Sequence, residues 1–164
     1  MNNETFWQIM LETKEESDGD PTEQQELIEE RLYQLSPDQI IEYDRIFGEL
    51  YIGAYTWKLW AAAYVINGGC SDDCFMDFRG WLIAQGEEVY TKALADPDSL
   101  SELEKLEEDV KWEGYAYLAH SVYEEKTGKE VPERGQNHPS EPKGEEWDED
   151  NLDELLPKLS QKYN

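Results

Sequence analysis

Residues 37–67, PDQIIEYDRIFGELYIGAYTWKLWAAAYVIN, decide the fold class. Ser36-Pro37 is a helix-start signal, because proline's fixed φ suits the first helical position and serine caps the free N–H groups. Ile40, Phe47, Leu50, Tyr51, Ala54, Trp57, Ala61 and Val65 then fall near one helical stripe. Gly48 and Gly53 permit a kink or two shorter helices. The second half is apolar nearly all round, which predicts a central buried helix over 53–67. Gly68-Gly69 ends it, since glycine supplies a left-handed cap.

The same signals recur outward. Asn3 is placed to cap a first helix that carries Phe6, Ile9 and Met10 on one face, and Ser17-Asp18-Gly19 breaks it. Asp20-Pro21-Thr22-Glu23 opens a second helix, with Leu27, Ile28 and Leu32 inward. Ser71 caps a helix running to Gln85, and Glu87–Ala95 form another. From Leu100 the pattern is helical again, with Trp112, Tyr115, Leu118, Ala119 and Val122 inward, until Gly128. No strand alternation, hairpin turn or internal repeat is visible. The expectation is an all-α, single helical-bundle domain over 1–128, a Pro/Gly/acidic loop over 129–150, and a helical strap over 151–164 docked on the body. Pro157 must distort or split that strap. The 53–67 helix is expected to pack on the 72–85 helix and on the Trp112–Val122 helix.

Composition bounds the function. Fourteen Lys+Arg against 39 Asp+Glu give a net charge of −25. Phosphate backbones need a basic face, so nucleic acid and anionic membrane are excluded as direct partners. Hydrophobic residues are only 38%, but six Trp, ten Tyr and four Phe provide large rings for a core. The opening MNNETFWQIMLETKEE has neither a basic nor an apolar leader segment, and the apolar run Tyr51–Ile66 contains Lys58 and is short for a membrane span. Those features predict a cytoplasmic protein whose Cys70 and Cys74 stay reduced as buried free thiols. A two-cysteine metal site would need further ligands, and the histidines are His120 and His138. No metal and no cofactor are expected.

The segment Ala61–Leu100, AAAYVINGGCSDDCFMDFRGWLIAQGEEVYTKALADPDSL, carries a run of the form GGCSDDxFxDFRxWLIxxG, and Phe6-Trp7 stands near the N-terminus. In these features the chain resembles an uncharacterised bacterial domain-of-unknown-function family. The tail motif Leu156-Pro157-Lys158-Leu159 fits the resemblance less specifically. It implies a helical fold and brings no established activity.

The polar residues of that run are the candidate ligand-binding set: Asp72, Asp73, Asp77 and Arg79. Asp72 and Asp73 read either as metal ligands or general acid/base carboxylates, or as first-turn acids beneath the Ser71 cap, and capping accounts for them without chemistry. Asp77 lies one turn beyond Asp73 on the same face. Arg79 has apolar neighbours at helical spacing (Phe75, Met76, Leu82, Ile83), which predicts a partly buried guanidinium paired with a carboxylate. Trp57, Trp60 and Tyr64 read as core. His120 reads as a hydrogen-bonded flank residue and His138 as solvated. No nucleophile elbow, phosphate loop, HExxH or calcium loop occurs, so no catalytic residue is assigned.

Two function classes follow. The first is a non-enzymatic, immunity- or antitoxin-like interaction protein that binds a basic protein partner. Residues 36–95 hold nine acids and four bases, so the acid is concentrated outside the two central helices. Glu102, Glu104, Glu107 and Glu108 are a candidate docking stretch. The second is a small enzyme or ligand-binding domain with a polar site around Asp72, Asp73, Asp77 and Arg79.

Overall fold

Short polar side chains start the main helices. In the computed structural model, which describes residues 1–106, 113–133 and 135–163, Asn2 rather than Asn3 caps α1 (Asn3–Glu16), its side chain accepting from the Thr5 N–H. Asp20 caps α2 (Pro21–Tyr33) and Ser36 forms a reciprocal capping box on α3 (Pro37–Gly53). Thr56 caps α4 (Trp57–Asn67) and Ser71 caps α5 (Asp72–Ala84). Then come α6 (Glu87–Ala95), α7 (Leu118–Thr127), α8 (Leu152–Leu155) and α9 (Pro157–Tyr163). Short 3-10 helices occupy Pro97–Glu102, Tyr115–Tyr117 and Glu149–Asn151. The fold is all-α, with no strand among the described residues.

The long helical run of residues 37–67 is two helices. Residues 54–56 leave the helix and Thr56 restarts it, its hydroxyl accepting from the Leu59 N–H. The break frees the Tyr55 carbonyl and the Trp57 N–H, which pair with the N–H and carbonyl of Lys143, at 3.0 and 2.9 Å. Gly68 terminates α4 in the left-handed conformation, at φ 68°.

Leu59, Ala61, Ala62 and Ala63 of α4 are fully buried, and α5 is buried along most of its length, at Phe75, Phe78, Trp81, Leu82, Ile83 and Ala84. Its neighbours are α1, α3, α4, α6 and the Tyr115–Tyr117 turn. A close approach makes this possible: a Cβ added at Gly80 would sit 3.2 Å from the Tyr115 Cβ. The expected partner of α4 is found in α5. The other is not: α7 packs on α2 and α3, and α4 instead meets α9 and the 97–102 turn. Among the described residues, the continuous helix expected after Leu100 is not found: residues 97–102 form a 3-10 helix, 103–106 are non-helical, and a further 3-10 turn precedes α7. Trp112, Glu107 and Glu108 lie outside the described residues.

Pro157 divides the C-terminal helical segment into α8 and α9. Leu152, Leu156 and Leu159 are buried, and the buried Asp98 carboxylate accepts from the N–H groups of Lys158 and Leu159. The acid thus satisfies otherwise orphaned donors at the start of α9.

Candidate functional site

α5 carries all four candidate residues, and its geometry separates them. At 3.6 residues per turn, residues two apart point about 200° from each other. Asp77 and Arg79 therefore face opposite sides of the helix, whereas Asp73 and Asp77 share one.

Asp73 and Asp77 line a cleft of about 550 Å³ with Met76, Thr22, Gln25, Glu113, Gly114 and Tyr117. The Gln25 amide donates to the Glu113 carbonyl at 2.6 Å, tying α2 to the far wall. Burial, with the Glu113 and Asp73 carboxylates nearby, pushes the Asp77 carboxyl above its ordinary range. No Lys or Arg among the described residues pairs with Asp73, Asp77 or Glu113. Two large apolar side chains stand exposed at the cleft, Tyr117 at 62% and Met76 at 42%. Asp72 is solvent-exposed in the first turn, beneath the Ser71 cap, and is not part of the cleft wall.

Arg79 turns inward and is only 1% exposed. The expected carboxylate partner is absent among the described residues. Its guanidinium carbon lies 3.9 Å from the Tyr51 ring centroid, 4.5 Å from Tyr55 and 5.0 Å from Phe75. Nη1 donates to the Tyr51 carbonyl and to His138 Nε2, both at 3.0 Å. Aromatic faces and neutral acceptors hold the cation in place of an anion. Burial lowers the Arg79 pKa, opposed by the adjacent Tyr51 and Tyr55. His138 is solvent-exposed, as expected, and its ring also packs 4.4 Å from that of Tyr55.

The cysteines depart from expectation as well. Cys70 and Cys74 form a disulfide with Cα atoms 5.2 Å apart, and both are half-buried rather than enclosed. Gly68 and Gly69, both at positive φ, turn the chain so that the residue before the Ser71 cap faces the helix's first turn. Four-residue spacing alone does not disclose that turn.

Trp57, Trp60 and Tyr64 are half-buried, not core. Trp57 stacks on Trp60 at 5.4 Å with an interplanar angle of 5°, and Trp60 stacks on Phe75 at 5.1 Å. Trp57, Trp60 and Cys70 form one side of a second cleft, of about 860 Å³, and Glu146, Trp147, Asp148, Glu149 and Asp150 form the other. Trp147 is anchored against Tyr64, with ring centroids 5.0 Å apart. Sequence reasoning missed this arrangement. Its signal was Trp147, a lone large ring within an acidic run.

His120 Nε2 lies 3.1 Å from the buried Asp44 carboxylate, an α3–α7 contact that fits a flank role. No group of three or more His, Cys, Asp or Glu among the described residues is placed to hold a metal ion. Among the described residues, no helix is long and apolar enough to cross a membrane.

Comparison with curated proteins and with solved structures finds no match. A family model does match, over residues 1–125, a span that contains α1 to α6, the Asp73–Asp77 cleft, and Arg79 with Tyr51, Tyr55 and Phe75, but not His138. The chain therefore belongs to the family described as protein of unknown function (DUF4240).

Proposed function

We propose that this is a non-enzymatic interaction protein that binds a basic protein partner, in the manner of an immunity protein or antitoxin neutralising a basic toxin. The observation that carries this reading is the Asp73–Asp77–Glu113 cleft. It gathers carboxylates without a cation among the described residues and borders them with the exposed ring of Tyr117 and thioether of Met76. Like charges held together repel, so an incoming ammonium or guanidinium relieves the repulsion, while the apolar pair supplies contact area. The net charge of −25 draws such a partner in from a distance. Asp72 stands on the exposed first turn of the same helix, where it adds to that field. Arg79, turned to the other side, serves the packing of the 129–150 loop.

Association kinetics with an immobilised lysine- and arginine-rich peptide test this. Steering acts through solvent and is screened beyond about 8–10 Å at physiological salt. The on-rate is expected to fall steeply from low to high salt, with a smaller change in the off-rate. Asp73→Asn with Asp77→Asn should slow association. An on-rate flat with salt, or equal binding of a glutamate-rich peptide, overturns the reading.

A further inference from the structure

We propose that the cleft between the Trp57–Trp60 stack and residues 146–150 is a second binding site, specific for an organic cation: the ammonium or guanidinium side chain of a basic polypeptide. It rests on the basic-partner reading and gives that partner a second, chemically distinct foothold.

The aromatic half is a column of rings. Phe75 lies at its inner end, Trp60 in the middle and Trp57 at its outer end. Arg79 already occupies the inner end, its guanidinium carbon 5.0 Å from the Phe75 centroid. The molecule thus holds one guanidinium on this column by ring faces. At the outer end the ring contact of Trp57 among the described residues is Trp60, and Trp57 also lines the cleft.

The acidic half selects the charge. Glu146, Asp148, Glu149 and Asp150 stand in the opposite wall, and none of them pairs with a Lys or Arg among the described residues. The Asp148 side chain accepts from the Asp150 N–H, so one of the four is held in position. Four carboxylates exclude an anion. A purely apolar ligand would strip them of water without replacing it. A lysine or arginine side chain satisfies both halves, with its methylenes and cationic head against the indoles and the charge toward the carboxylates.

The two walls have different origins. Trp57, Trp60 and Cys70 fall within residues 1–125, which match the family, and residues 146–150 fall outside them. The outer wall is brought into place by the Lys143 backbone pairing with Tyr55 and Trp57, and by Trp147 packed on Tyr64.

The test is titration of the full chain with a short arginine-rich peptide, followed by tryptophan fluorescence and calorimetry. A glutamate-rich peptide of equal length serves as control. Quenching is expected with the cationic peptide alone. Trp57→Ala should weaken binding about tenfold, the loss of one desolvated cation–π contact. Glu146→Gln with Asp150→Asn, both exposed side chains, should weaken it severalfold and keeps the test valid if the tryptophan variant unfolds. Asp73→Asn with Asp77→Asn should slow association, as above, while the peptide that still binds quenches the tryptophan fluorescence. If both cleft variants bind like the wild type while the Asp73/Asp77 variant loses binding, this inference falls and the basic-partner reading stands. If no cationic peptide binds at any salt concentration, both fall.

Discussion

Arg79 Nη1 lies 3.0 Å from His138 Nε2, joining the most enclosed helix to the middle of the 129–150 loop. A guanidinium has only donors, so Nε2 must accept. The other ring nitrogen, Nδ1, then carries the proton and donates to the Pro139 carbonyl at 2.8 Å. One neutral tautomer satisfies both contacts. The Gln136 amide, donating to the Arg45 carbonyl at 3.1 Å, pins the same loop two residues earlier.

Arg79→Met should keep the fold and lower stability by about 1–3 kcal/mol, read from a denaturant melt. The loss comes from the ring contacts and from an orphaned Tyr51 carbonyl, not from a stranded carboxylate. Arg79→Lys should recover little, because an ammonium lacks the planar fork that stacks on the rings while reaching both acceptors. Hydrogen exchange in residues 136–147 should quicken in both variants. A lysine variant as stable and as protected as the wild type would contradict this role for the guanidinium.

Cys70 and Cys74 should yield no reactive thiol in protein purified without reductant, and two after reduction and unfolding. Replacing both by serine should leave a folded protein, destabilised by about 2 kcal/mol or less, since a bridge across so few residues restricts the unfolded chain least. The Trp60 indole donates to the Cys70 backbone carbonyl, so that contact survives the change. Two reactive thiols in the native, unreduced protein would refute the bridge.

Asp77 has a folded-state pKa above its ordinary value, from burial and from Glu113 and Asp73. Folding therefore favours its protonated form. That contribution is fully present below the unfolded carboxyl pKa and is lost as pH rises through the folded value. At neutral pH the charged carboxylate opposes folding, so Asp77→Asn should raise the thermal midpoint there. The gain should vanish in acid, where the wild-type carboxyl is neutral in both states. A midpoint lowered at neutral pH would mean that Asp77 has a cation partner in the free protein.

Helix starts and stops were legible in the sequence because they depend on neighbours in the chain. Asp20-Pro21, Ser36-Pro37, Ser71 and Gly68 act within a turn of where they stand, and the structure uses each as read. Periodicity likewise placed Asp73 and Asp77 on one face, and two-residue spacing already separates Asp77 from Arg79. What periodicity cannot specify is the element that covers a face. Arg79 was correctly placed among apolar neighbours, yet its partner proved to be an imidazole 59 residues away. The Trp57–Trp60 stack reads as core on one helix and becomes one wall of a cleft only because Lys143 and Trp147 bring the acidic segment opposite it. Capping and spacing are local energies, written residue by residue. The loop's position depends on contacts between distant segments, and those exist only once the helices have packed.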